Sequence, residues 1–255
     1  MMRAIVVAFV IVGCHLLCTV SALAASLKDI KIPNKLGLGL SVYNQTQPYR
    51  IDTLELGMPG LDPTVIEGLD VRNETTSTHF RVDYWVLPFL NVFALVGNIE
   101  GKTEVDLQGL DIGLPIRLDD LVVPTDGTVY GGGLVLAVGG EKWFGAVAYD
   151  YNETELDVAE SSVKAQVVTP KLGLHFDRGA VWVGAMYQDI EERHVGVFEL
   201  PRVGEIPFDV TLSGSQPWNY LVGGTAGLGK HWVLILQGGF GDRKSALVTL
   251  EYRLF

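Results

Sequence analysis

Beyond residue 25 the chain holds no further apolar run of helical length, yet apolar and polar residues alternate along it in one short stretch after another. A period of two sends successive side chains to opposite faces, which is the pattern of strand and not of helix. Mean hydropathy is nonetheless +0.27. A chain this apolar without buried helices must place one face of its strands against something other than water. The 30 glycines and the aromatic-rich short runs agree with strand and turn.

Ten strands are expected, at residues 35–44, 77–87, 91–105, 128–138, 143–156, 162–176, 180–190, 218–228, 232–240 and 245–255. In the first, Leu36, Leu38, Leu40 and Val42 alternate with Gly37, Gly39 and Ser41. In the third, Phe93, Leu95 and Ile99 are assigned to the apolar face and Asn98, Glu100, Lys102 and Glu104 to the polar one. In the sixth the alternation slips at Val167-Val168, which points to a bulge near Pro170. Connections at 88–90, 139–142, 177–179 and 229–231 are short, whereas those at 45–76, 106–127 and 191–217 are long. Strands of about ten residues suit a tilted crossing of hydrocarbon, and short turns opposite long loops are the arrangement of a membrane barrel. The expected fold is therefore an all-β, antiparallel transmembrane β-barrel of about 10 strands, within a range of 8 to 12, with short periplasmic turns and long external loops. Tyr84, Trp85, Trp143, Phe144, Trp218, Tyr220, Trp232 and Tyr252 fall at strand ends, where interfacial aromatic girdles are expected.

The start of the chain fits export. Arg3 precedes an apolar stretch, and Ala22-Leu23-Ala24 supplies the small residues of a cleavage site, so 1–25 is read as a cleaved signal peptide and 26–255 as one barrel domain. Both cysteines, Cys14 and Cys18, lie in the leader, so disulfides are not expected in the mature chain. The net charge of −11 argues against a nucleic-acid partner.

The last residues, Leu250-Glu251-Tyr252-Arg253-Leu254-Phe255, resemble the terminal strand of bacterial outer-membrane β-barrel proteins, a class whose members commonly end in an aromatic after an alternating strand. The resemblance implies residence in the bacterial outer membrane among its lipid and lipopolysaccharide. It also implies that Tyr252 and Phe255 form the signal read by the barrel-assembly machinery. Here the apolar set Val248, Leu250, Tyr252 and Leu254 is offset by one residue from Phe255, a departure in register.

If the apolar parity faces lipid, the other lines the lumen. The candidate lumen residues are His79, Arg81, Asp83, Glu100, Lys102, Glu104, Asp150, Lys171, His175, Glu251 and Arg253. Charges of both signs there make either a plug of ion pairs or a polar conduit, and ten strands lie nearer the filled end of the scale. A structural or surface role, or a narrow passive pore for small solutes, is the leading expectation. An outer-membrane lipid hydrolase or protease is a second. Its candidate bases are His79, His175 and His194, with His194 read as a solvated loop residue, and its candidate acid pairs are Asp119-Asp120 and Glu191-Glu192. None forms a catalytic constellation by spacing, and no metal site or cofactor is expected. A soluble secreted β-sandwich or lipocalin-like binder is a third. Pro-punctuated apolar segments, as in Leu110-Asp111-Ile112-Gly113-Leu114-Pro115, either pack together, extend the barrel wall above the membrane, or offer an apolar ligand a site at the external loops.

Overall fold

In the computed structural model the described residues are 34–57, 69–106, 120–157, 161–200 and 204–254. The proposed signal peptide, Phe255, Asp119 and most of the apolar Pro-containing segments lie outside them. The strands are β1 (Leu36–Leu56), β2 (Val71–Leu87), β3 (Leu90–Val105), β4 (Leu121–Pro124), β5 (Gly127–Gly139), β6 (Trp143–Leu156), β7 (Ser162–Phe176), β8 (Gly179–Leu200), β9 (Gly204–Gly214), β10 (Trp218–Leu228), β11 (Trp232–Phe240) and β12 (Lys244–Leu254).

Ten of them, all but β4 and β9, close into an antiparallel barrel: β12 pairs with β1, and β8 with β10. Stepping across paired residues from Arg193 of β8 leads through Ser162, Glu155, Thr128, Asn98, Thr78, Val42, Val248, Leu236 and Gly224 back to β8 at Val181. The displacement, 193 − 181, is a shear of 12 residues. With usual strand spacings, ten strands at that shear tilt by about 40° and lie on a cylinder of about 10 Å backbone radius.

Further from the short turns the wall changes. The upper half of β8 leaves β10 and pairs with β9, and β9 pairs in turn with the upper half of β1. One strand thus replaces β10, β11 and β12 at this seam, a fork that narrows the wall from ten strands to eight. Much of what the sequence suggests as long loop is strand. β1 continues to Leu56, β2 begins at Val71, β8 runs to Leu200, and β9 occupies Gly204–Gly214.

These extensions escape a search for lipid-facing strands because the polarity of the two faces is exchanged. On β1 the outward residues Leu36, Leu38, Leu40 and Val42 give way to Asn44, Thr46 and Arg50, while the inward Gly37, Gly39 and Ser41 give way to Tyr49 and Ile51. On β8 outward Val181 and Val183 are followed by Asp189, Glu191 and Arg193, with Ile190 buried inside. The register itself does not slip at the exchange. β7 shows this directly, since Val168↔Tyr187 and Lys171↔Gly184 belong to one unbroken register with β8 and there is no bulge at Pro170. The apparent slip in its sequence is the inward set passing from Val163, Ala165 and Val167 to Thr169 and Lys171.

The lower section is therefore apolar outside, with Leu40, Val96, Leu172, Val183, Val222 and Leu250 among its exposed side chains. Tyr84, Trp143, Phe176 and Trp232 stand exposed near the short turns, and Tyr130, Tyr151, Trp218, Tyr220 and Phe240 toward the other end. Trp232 and Phe240 bound β11 eight residues apart, about 20 Å along the axis at a 40° tilt, which approaches the height of a membrane-barrel belt. Trp85 and Phe144, expected in the girdles, have inward parity instead. This is the architecture of a bacterial outer-membrane β-barrel, and the apolar outer face places the lower section in the membrane.

Candidate functional site

The interior is built in layers, because each inward position meets its neighbours at a fixed register. Nearest the short turns, Asp83 of β2, Gly37 of β1 and Arg253 of β12 stand side by side. Arg253 Nη1 donates to Asp83 Oδ1 at 2.9 Å and its Nε to Glu251 Oε1, while Asn91 Nδ2 donates to Asp83 Oδ1 at 2.5 Å. The next layer holds the Arg81 guanidinium 3.7 Å over the Phe93 ring, and the Lys171 ammonium 5.2 Å from the Trp182 ring. Asp150 lies within electrostatic reach of both cations. Glycines opposite make room for the large groups: a Cβ at Gly223 would come within 2.6 Å of the Trp182 ring.

These side chains carry three positive charges, on Arg81, Lys171 and Arg253, and three negative, on Asp83, Asp150 and Glu251. A balanced, contact-filled set is what a low-dielectric interior tolerates.

Above the fork lies a buried polar network that sequence spacing does not reveal. Asn73 Nδ2 donates to Thr103 Oγ1 at 2.9 Å, Thr103 Oγ1 donates to Glu192 Oε1 at 2.9 Å, and His194 Nε2 lies 2.5 Å from the same oxygen. Tyr49 hydrogen-bonds Glu192 as well, and burial, reinforced by that carboxylate, raises its phenol well above the ordinary range. Against this network packs an apolar core of Tyr49, Val71, Val105, Ile190, Val210 and Leu212. Val71 and Thr103 are 0 % exposed, Glu192 and His194 1 %. This upper section is built like a soluble domain, greasy within and charged without.

Of the candidate lumen residues, His79, Arg81, Asp83, Asp150, Lys171, Glu251 and Arg253 have inward parity. His175 shares that parity but is exposed beside the turn, its ring 4.9 Å from that of Phe144. Glu100, Lys102 and Glu104 are a correction. They project outward above the membrane belt, with Lys102 paired to Glu104 at 3.3 Å, while Phe93, Leu95 and Ile99 occupy the inner face of β3. The inversion of polarity explains it: outward parity is charged in the extension and apolar below. His194 is a second correction, enclosed in the upper section and not solvated. Tyr252 faces outward and packs edge-on against Trp232 at 4.9 Å. Among the described residues no three of His, Cys, Asp and Glu cluster closely enough to hold a metal ion.

No protein-family model matches the chain, and no curated protein matches its sequence. Solved structures do align with it over most of their lengths. The Ralstonia pickettii toluene transporter TbuX aligns at 10% identity and a TM-score of 0.38, covering 91% of this chain and 94% of its own. The translocator domain of autotransporter NalP from Neisseria meningitidis aligns at 10% identity and a TM-score of 0.40, covering 95% and 97%. The transport unit of the autotransporter AIDA-I from Escherichia coli aligns at 9% identity and a TM-score of 0.42, covering 86% and 90%.

Proposed function

We propose that this chain is a closed barrel with a structural and surface role: a membrane anchor that holds a rigid, strand-built platform outside the cell and conducts no solute. One observation carries the reading. The strands that form the lower wall continue upward around a packed core in which Val71, Thr103, Glu192, His194 and Leu212 are almost wholly buried. A solute moving along the axis would have to unpack that core, which is covalently continuous with the wall and cannot swing aside as a loop could.

The narrow-pore reading requires a wetted path past Arg81, Lys171 and Trp182 and then through the apolar layer. The hydrolase reading requires a reachable histidine beside a nucleophile or an acid partner, whereas His194 is enclosed and bonded to Glu192, and the exposed His175 has the Phe144 ring as its neighbour. Recording from planar bilayers containing the refolded protein tests the proposal. A closed barrel gives no steps above the baseline of protein-free bilayers, and reproducible unitary conductances in the native protein would refute it.

A further inference from the structure

The two ends of the barrel dispose of their outward cations in opposite ways. Above the belt four of them are matched by neighbouring carboxylates: Arg50 by Asp52, Arg72 by Glu74, Lys102 by Glu104, and Arg193 by Asp209. At the other end Lys142, Arg178 and Lys230 are exposed, and among the described residues none of the three forms an ion pair.

These three sit on hairpin turns: Lys142 between β5 and β6, Arg178 between β7 and β8, Lys230 between β10 and β11. Since β6 pairs with β7 and β8 with β10, the turns follow one another along a single sector of the rim. Backbone hydrogen bonds tie each turn to the next hairpin or strand. His175 N–H donates to the Lys142 carbonyl at 2.9 Å, Gly227 N–H to the Arg178 carbonyl at 2.7 Å, and Arg253 N–H to the His231 carbonyl at 2.7 Å. Two strand spacings separate successive turns, about 10 Å measured across the strands. The remaining short turn, Pro88-Phe89, carries no charge.

Each cation also has an exposed aromatic beside it in the chain: Trp143 after Lys142, Phe176 two residues before Arg178, and Trp232 two residues after Lys230. Those rings mark the lower edge of the apolar face, the level where hydrocarbon gives way to headgroups. Long Lys and Arg stems lie along apolar surface and deliver their charge to that level. Glu141 and Asp177 share the turns, so three cations stand against two carboxylates and the sector stays positive.

We propose that this sector of the periplasmic rim is a binding surface for anionic phospholipids. Lys142, Arg178 and Lys230 hold the headgroup phosphates, while the acyl chains lie against Trp143, Phe176 and Trp232. Unpaired cations spaced along a membrane boundary complement a row of negative headgroups, and the exposed turns leave those headgroups room. The proposal rests on the membrane placement of the lower section and is independent of whether the lumen conducts.

The test uses the refolded full barrel in phosphatidylcholine vesicles with a trace of spin-labelled phosphatidylglycerol or spin-labelled phosphatidylcholine. The motionally restricted fraction of each label gives its relative association with the barrel surface. One contacting cation favours an anionic lipid by about fivefold, and averaging over the perimeter leaves about twofold or more. The native protein should show that preference, and added salt should erase it by screening, a readout that needs no variant. Lys142→Gln, Arg178→Gln and Lys230→Gln combined should abolish it. Arg72→Gln, Lys102→Gln and Arg193→Gln combined, at the opposite end, should leave it intact. Equal association of the two lipids with the native protein would overturn the proposal, as would a preference indifferent to salt or surviving the rim substitutions. An equal loss in the control variant would trace the preference to net charge, and would overturn it too.

Discussion

Arg253 Nη1 meets Asp83 Oδ1 at 2.9 Å across β1, and the two side chains close over Gly37, which stands between them in the register. The last strand is thereby tied to the second without touching the first. Asp83 is almost fully buried and Arg253 nearly so. Removing one member strands the other's charge, which in buried pairs costs about 3–5 kcal/mol. Arg253→Leu should therefore lower the thermal unfolding midpoint sharply, read as the shift in heat-modified gel migration. Adding Asp83→Asn to that variant should recover part of the loss. Gly37→Val should resemble the single loss, because its side chain would occupy the space where the pair meets.

The exchange of polarity along β1 makes adjacent outward positions respond differently to the same change. Leu40→Arg puts a charge into hydrocarbon and should cost about 2–4 kcal/mol in denaturant unfolding from lipid vesicles. Thr46→Arg, six residues further on the same face, should change stability by no more than about 0.5 kcal/mol.

Leu212 is buried in the upper core among Tyr49, Val71 and Val210. Leu212→Ala should destabilise that section by about 2–5 kcal/mol, the usual range for emptying such a site. Limited proteolysis of the membrane-embedded protein should then cut the extension while the membrane section stays intact. Equal loss of both sections would show that they unfold as one unit.

Tyr49 ties stability to alkaline pH. Burial, and then Glu192, raise its phenol in the folded chain above the value near 10 that it has when unfolded. Its contribution is complete below about pH 10 and is lost as the pH climbs from there toward the folded-state value. Unfolding followed by tyrosinate absorbance should show this loss in the native chain, and Tyr49→Phe should flatten the dependence.

The membrane section was legible because its strands alternate in the sense a lipid-facing wall demands. Residues 35–44 and 232–240 show this plainly, with Leu36, Leu38 and Leu40 outward in one and Trp232, Leu234 and Leu236 in the other. The short turns followed from the same signal. The extensions were not legible, since 45–56 and 191–200 read as polar loop once the greasy set turns inward and is interrupted by Gln47, Glu192 and His194. Glu100, Lys102 and Glu104 were misplaced for that same reason. The Asn73–Thr103–Glu192–His194 network joins residues far apart in the chain, and only the barrel's closure brings β3 and β8 face to face. A charged residue recurring at positions of apolar parity, as Glu192 does between Ile190 and His194, is the one local sign that could have pointed to it.

The account depends on a face that changes its solvent while keeping its register. Cys14 and Cys18 are the two cysteines of the sequence, so with both replaced by serine single cysteines can be placed along 36–51 and spin-labelled. Collision with oxygen, which dissolves in lipid, and with a charged nickel chelate, which does not, should be compared in reconstituted vesicles. Positions 38, 40 and 42 should favour oxygen and positions 44, 46 and 50 nickel, while 45, 47 and 49 stay protected from both. If the odd positions above 46 became open to nickel, or if 38 to 42 met it freely, the inverted two-section barrel would be wrong.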